Sequence, residues 1–182
     1  MIKKLFFSLT IGLAVHAVAF SGECAKEEEA IAMPSFKDRF HYVKLGGAFF
    51  AMPDAAFGPA VALGCRFEEN RYALDISANY AGKGNQFMVT LPKALYLCYL
   101  DHEAPKGFYV GAGASFGWIN QRAHKKNFAG LLTEMSAGYD FNRFGKAKMF
   151  IEATLSQPFL PVTAKHNPSF SPVFTLMYGI GF

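Results

Sequence analysis

Single charged residues interrupt apolar runs along most of this chain. Seven polar residues recur where they can share one face of neighbouring strands: Lys44, Arg66, Asp75, Lys93, Ser115, Glu134 and Glu152. A charge in an apolar environment is costly unless an opposite charge pairs with it. Because the signs are mixed, we predict that these side chains form a paired polar network wherever the fold brings them together.

Eight apolar-rich runs separated by turn signals carry these residues. They are Phe40–Phe50, Gly58–Phe67, Tyr72–Gly82, Phe87–Leu100, Phe108–Asn120, Phe128–Phe141, Met149–Gln157 and Pro172–Phe182. Large apolar residues alternate with small or polar ones at a period of two, which is typical of β-strands. A tilted membrane strand needs about 9–11 residues, and eight strands form the smallest usual outer-membrane barrel. We therefore predict an all-β fold: an eight-stranded antiparallel up-and-down transmembrane β-barrel over residues 39–182.

The composition narrows the class of protein. Of the 182 residues, 52% are hydrophobic and 18% are charged, which excludes intrinsic disorder. The net charge is only +4 and no basic stripe occurs, so we predict no nucleic-acid partner. The small or polar face suits a narrow lumen, and aromatics near the strand ends suit two interfacial girdles.

The N-terminus has the features of a secretory signal peptide. Lys3 and Lys4 precede an apolar run, and Ala17-Val18-Ala19 supplies small residues for cleavage. We predict a signal peptide at residues 1–19 and a periplasmic stub at residues 20–38. A membrane anchor is the alternative, but the apolar run is shorter than the roughly 20 residues that a spanning helix needs.

The final run points to a family. Phe174, Leu176, Tyr178, Ile180 and Phe182 place large apolar residues at alternate positions and end in phenylalanine. This pattern resembles the C-terminal assembly signal of small bacterial outer-membrane β-barrel proteins, the group with OmpA-like membrane domains and opacity-like adhesins. The resemblance implies assembly by the barrel-assembly machinery in the outer membrane of a Gram-negative envelope.

Extending each hairpin from its turn without bulges places one row of residues across the lumen. The row is Lys44, Gly64, Asp75, Lys93, Ser115, Glu134 and Ser156, with Arg66 one pleat away. It predicts pairing among Asp75, Lys93 and Glu134. The fourth run is ambiguous, because an inward Lys93 also turns Phe87, Val89 and Leu91 inward. A bulge at Pro92 would reset that alternation.

The three cysteines do not form a disulfide framework. Cys65 and Cys98 lie on strands separated by a third, roughly 10 Å apart, which exceeds disulfide reach. We therefore expect free thiols at both positions. Cys24 precedes the barrel and can form a disulfide with a partner protein in the periplasm.

Other candidate chemistry is weak. His166 and Ser169 flank Asn167-Pro168 in the longest outer loop, where the proline favours a turn. In the small lipid A deacylase family, which the barrel resembles in general type, histidine and serine lie two apart. His41, His102 and His124 have no metal-ligand spacing, and no glycine motif opens a helix. We predict no catalytic residue, no metal and no cofactor.

The predicted function is therefore structural or interactional: a non-enzymatic membrane barrel whose polar lumen is plugged by side chains. The alternatives are a lipid A-modifying hydrolase or acyltransferase, a narrow porin, and a soluble lipocalin-like barrel. The predicted partners are outer-membrane lipid and lipopolysaccharide, whose phosphates His124, Lys125 and Lys126 could contact.

Overall fold

The chain forms one closed sheet of eight strands. The computed structural model describes residues 38–51, 55–84, 86–101, 103–121, 126–162 and 172–182, leaving out the side chains of residues 121 and 126. The strands are β1 (Asp38–Phe50), β2 (Ala56–Glu68), β3 (Tyr72–Lys83), β4 (Gln86–Tyr99), β5 (Gly107–Gln121), β6 (Lys126–Asp140), β7 (Lys148–Pro161) and β8 (Val173–Gly181). Each strand pairs with its sequence neighbours in antiparallel fashion, and β1 pairs with β8 to close the barrel. The predicted fold class is confirmed.

Residue parity decides which way each side chain points. In β8, Phe174, Leu176, Tyr178 and Ile180 are 43–57% exposed on the outside, whereas Val173 and Met177 are buried inside. A closed barrel pairs every strand on both sides and leaves no free sheet edge. In β8 the large apolar residues therefore cover the outer wall and the smaller ones face the lumen, as the alternation predicts. Other strands also place large rings in the lumen, among them Tyr42, Phe50, Tyr99, Tyr109, Phe128 and Phe150.

A bulge in β4 resolves the ambiguity of that strand. The register with β5 shifts between Thr90 and Lys93, and the register with β3 shifts between Ser77 and Asn79. Thr90 and Lys93 are both buried, while Leu91 and Pro92 between them are exposed on the outer wall. The extra residue reverses the parity, so Phe87 and Val89 leave the lumen while Leu95 and Leu97 stay in it.

Aromatic rings fill the lumen where the neighbouring strand has glycine. A Cβ atom added at Gly64 would collide with the Tyr42 ring, and one added at Gly179 would collide with the Phe150 ring. The ends of the rings therefore lie against the bare backbone of the next strand. Glycine at these sites is needed for space.

The two ends of the barrel differ in their connections. The turn end carries the connections β2–β3, β4–β5 and β6–β7 together with the start of β1, and the loop end carries the other connections. The predicted signal peptide at residues 1–19 and the stub lie outside the described residues, except that Asp38 already begins β1. No helix in the described part of the chain is long and apolar enough to cross a membrane.

Candidate functional site

Arg66 is the centre of a buried ionic network inside the barrel. It projects inward from β2 and is 0% exposed. Its Nε lies 3.1 Å from an Asp75 carboxylate oxygen, and its Nη2 lies 3.1 Å from Glu152. The Asp140 carboxylate is 3.7 Å from Nη1. A guanidinium presents several donors in a planar fork, so one side chain connects β2 with β3, β6 and β7.

Lys44 completes the centre from β1. Its Nζ donates to Glu152 at 2.7 Å and lies 3.6 Å from Asp75. The Tyr42 hydroxyl donates to the same Asp75 carboxylate, and the Tyr109 hydroxyl donates to Glu152 at 3.0 Å. Both carboxylates thus have two cationic partners and a phenol. We call Tyr42, Lys44, Arg66, Asp75, Tyr109 and Glu152 the central network.

Three aromatic rings extend the contacts of the buried cations. The Arg66 guanidinium lies 4.4 Å from the centroid of the Phe150 ring and 4.8 Å from that of Tyr109. Lys44 Nζ lies 4.5 Å from the Tyr42 centroid. Cations are attracted to ring faces, more strongly where water is excluded. The rings therefore shield the network and contribute to its stability.

Glu134 forms a second polar group nearer the loop end. Its carboxylate accepts hydrogen bonds from Ser115 at 2.6 Å and from Ser156 at 2.7 Å. Lys93 lies 3.8 Å from the same carboxylate and 3.4 Å from the Thr154 hydroxyl. These ammonium contacts are longer than those of Lys44. Glu134 is therefore held mainly by two short serine bonds.

At the turn end, Arg143 lies across the mouth of the barrel. Although it lies in the β6–β7 turn, it is 2% exposed. Its Nη2 donates to the backbone carbonyls of Glu69 and Asn70 in the β2–β3 turn, and its own N–H donates to the carbonyl of Pro105 in the β4–β5 turn. All three turns of this end are therefore tied to one residue.

Beneath Arg143 lies a further polar group. The guanidinium carbon of Arg143 lies 3.6 Å from the centroid of the Tyr99 ring. Tyr99 in turn donates to Glu68 at 2.7 Å, and Lys148 contacts the same carboxylate. This group separates the central network from the solvent at the turn end.

Toward the loop end, apolar side chains fill much of the lumen. Inward residues of seven strands form one buried cluster: Ala48, Phe50, Ala60, Ala62, Ala81, Met88, Ile119, Phe128, Leu132, Val173 and Met177. We call these residues the loop-end cluster. An eight-stranded barrel has just enough interior for its side chains, and here the loop-end cluster shares that interior with the buried polar residues Asn79, Gln86, Thr90, Asn120 and Thr175.

The charges of the described lumen balance. The cations are Lys44, Arg66, Lys93, Arg143 and Lys148, and the anions are Glu68, Asp75, Glu134, Asp140 and Glu152. Five positive and five negative groups leave no net charge inside. A lumen that selects ions carries an excess of one sign, whereas paired charges hold one another in place.

All seven predicted lumen residues lie inside the barrel in the structure. One predicted pairing, that between Asp75 and Lys93, is not formed. Asp75 lies opposite Leu95 and contacts Arg66 and Lys44, not Lys93. Lys93 lies opposite Ser77 and Ser115. The expected Asp75–Lys93 pairing is therefore wrong, because hairpin extension without bulges misplaces β4 relative to β3. The Lys93–Glu134 contact is present, at 3.8 Å.

Sequence reasoning missed part of the interior although a signal was present. The missed residues are Tyr42, Glu68, Tyr99, Tyr109, Asp140, Arg143 and Lys148. Glu68 lies two positions from Arg66, and Tyr109 shares the parity of Ser115, so strand parity could have found both. Arg143 lies in a turn, where no periodic signal exists.

One of the two barrel cysteines does not have the free thiol that the sequence predicts. Cys65 is free, but Cys98 is disulfide-bonded, so the expected free thiol at Cys98 is wrong. Cys24, His102, His124, Lys125, His166 and Ser169 lie outside the described residues, and so does the side chain of Lys126. Among the residues that are described, no group of histidine, cysteine or acidic side chains could hold a metal ion.

The sequence matches no protein-family model and no curated protein. The structure is similar to that of Neisserial surface protein A (TM-score 0.61, 10% identity, covering 79% of this chain and 95% of that one). Two Pseudomonas aeruginosa structures also match over 79% of this chain. They are the N-terminal β-barrel domain of OprF (TM-score 0.48, 15% identity, 97% of that chain) and the outer membrane protein OprG (0.47, 11%, 95%). The first comparison shows that the chain has the fold of a small eight-stranded surface-protein barrel.

Proposed function

We propose that this protein is a non-enzymatic barrel of the bacterial outer membrane whose lumen is closed by its own side chains. The observation that carries the proposal is the charge-balanced interior, packed toward one end with the loop-end cluster and crossed at the other end by Arg143. Such a barrel does not conduct ions. Its role is structural or interactional, exercised through its outer wall and its outer loops.

The outer wall supports a membrane location. Aromatic residues with large exposed surfaces lie near both ends, with Phe108 and Phe144 at the turn end and Phe57 and Trp118 at the loop end. Aromatic girdles at both interfaces with apolar residues between them are typical of membrane barrels. A soluble barrel would instead expose charged residues on this wall.

The proposal also covers how the protein reaches the outer membrane and which end of the barrel faces the periplasm. The signal peptide at residues 1–19 directs export, and the turn end faces the periplasm because the N-terminus starts there. Phe182 lies beside His41, with which it exchanges two backbone hydrogen bonds. Its 72% exposed side chain lies on the outer wall, where the barrel-assembly machinery would recognise it.

Three measurements test the proposal. The refolded protein should migrate differently on SDS gels before and after boiling, because closed membrane barrels resist SDS. In a planar lipid bilayer it should give no single-channel current. Solubility without detergent would contradict the membrane location. Discrete conductance steps would contradict the plug and support a narrow porin, and a change in lipid A mass that depends on the gene would support an enzyme.

A further inference from the structure

A groove of about 480 Å³ crosses the outer wall of the barrel over β1, β2, β3 and β4. Its lining is mainly apolar. Its floor is made by smaller, half-buried side chains, and larger exposed ones stand at its sides. The floor includes Val43, Cys65 and Ala78, and the sides include Leu63, Ile76 and Leu91.

The β4 bulge builds one side of this groove. Leu91 and Pro92 are consecutive residues, yet both are exposed on the outer wall and both line the groove. In a regular strand one of them would point inward. The bulge therefore raises a ridge on the wall that the alternation alone would not produce.

The groove slants from the turn end toward the middle of the wall. At its lower end it includes His41, which lies three residues from the start of β1 at Asp38. At its upper end it includes Leu91, which lies eight residues from the turn end of β4 at Tyr99. A lipid of the turn-end leaflet fits this direction, because its headgroup would lie at the lower end of the groove and its acyl chain would extend toward the upper end.

The lower end carries a positive charge. Arg39 lies two residues before His41 on the same outward face of β1, and both side chains are exposed. A guanidinium at the membrane interface binds phosphate through charge-assisted hydrogen bonds. The mainly apolar groove thus has an exposed guanidinium next to its turn-end side, two residues along β1 from the lining residue His41.

We propose that this groove binds one phospholipid, with an acyl chain along Val43, Cys65 and Ala78 and with the phosphate at Arg39. The inference rests on the proposed membrane location. It adds a specific lipid site to a wall that otherwise contacts lipid without selectivity. The ligand is a phospholipid of the turn-end leaflet.

Native mass spectrometry of the full-length protein in detergent tests the site, with dioleoylphosphatidylglycerol as the probe. The unaltered protein should retain one lipid after detergent removal in the gas phase. Ala78→Phe fills the floor and should reduce retention about tenfold. Ala153→Phe adds the same ring at an exposed position on the outer face of β7 and should leave retention unchanged. Equal retention by the two variants would overturn the site.

The phosphate contact has its own control. Arg39→Gln should weaken retention about tenfold, the effect of one charge-assisted hydrogen bond. Lys106→Gln removes another exposed charge at the turn end and should have no effect. Dioleoylglycerol, which lacks the phosphate, should bind as weakly as the probe binds to Arg39→Gln. If each variant retains as much lipid as its control, and dioleoylglycerol binds as well as the probe, the protein binds lipid without selectivity and the proposed site is wrong. The gel shift on boiling, measured without added lipid, tests the membrane barrel independently.

Discussion

Arg66 and Asp75 lie directly opposite one another on β2 and β3, and their side chains meet inside the barrel at 3.1 Å. The same guanidinium reaches Glu152 on β7, 3.1 Å away across the lumen. One residue therefore joins a local hairpin contact to a contact between distant strands. The central network is held together by this double role.

Arg66→Ala should destabilise the barrel by about 3–5 kcal/mol, because it leaves buried carboxylates without their main cation. Thermal unfolding in detergent, followed by the gel shift on boiling, measures the loss. Lys83→Ala, at an exposed position at the end of β3, is the control and should change stability by less than about 0.5 kcal/mol. Equal stability of the two variants would contradict a pairing role for Arg66.

The lumen lysines Lys44 and Lys93 should differ in importance. Lys44 Nζ lies 2.7 Å from Glu152, whereas Lys93 Nζ lies 3.8 Å from Glu134. Glu134 also keeps its two serine bonds when Lys93 is removed. Lys44→Met should therefore destabilise the barrel more than Lys93→Met does, measured by the same unfolding assay. The reverse order would show that the Lys93 contacts are the stronger ones.

Adjacent phenylalanines at the end of β1 test the assignment of faces. Phe50 is 1% exposed in the loop-end cluster, and Phe49 is 42% exposed on the outer wall. Phe50→Ala leaves a cavity and should cost about 3–5 kcal/mol. Phe49→Ala removes only a lipid contact and should cost clearly less. Should Phe49→Ala prove the more damaging, the inside and outside of β1 would have to be exchanged.

Space for the Phe150 ring depends on a glycine in the neighbouring strand. Gly179→Ala places a methyl group into the ring and should destabilise the barrel by about 1–3 kcal/mol. Phe150→Leu removes the ring and should recover part of that loss in the double variant. A double-mutant cycle of unfolding free energies measures the coupling. Strictly additive effects would show that the ring and the glycine do not compete for space.

Arg143→Ala should loosen the turn end. It removes the side-chain bonds to the carbonyls of Glu69 and Asn70 and the contact with the Tyr99 ring. Protease cleavage in the β2–β3 and β6–β7 turns, followed by mass spectrometry, should become faster while the strands stay protected. Lys146→Ala, at an exposed position in the same turn, is the matched control. Identical cleavage of both variants would contradict the role of Arg143 as the tie among the turns.

The sequence by itself determined the strand number, the closed all-β architecture and most of the inside–outside assignments. Each strand is long enough to show its period of two, and a side chain at a given parity has only two directions available. The seven predicted lumen residues were found in this way. The outward orientation of the large residues from Phe174 to Ile180 was predicted from the same alternation.

Only the tertiary structure decided which inward groups meet. The contact of Lys44 with Glu152 joins residues 108 positions apart, and that of Arg66 with Glu152 joins residues 86 apart. Strand parity gives the face but not the height in the barrel, which depends on the register of every strand pair. The bulge between Thr90 and Lys93 shifts that register by its extra residue. It thereby moves Lys93 away from Asp75 and raises Leu91 and Pro92 on the outer wall.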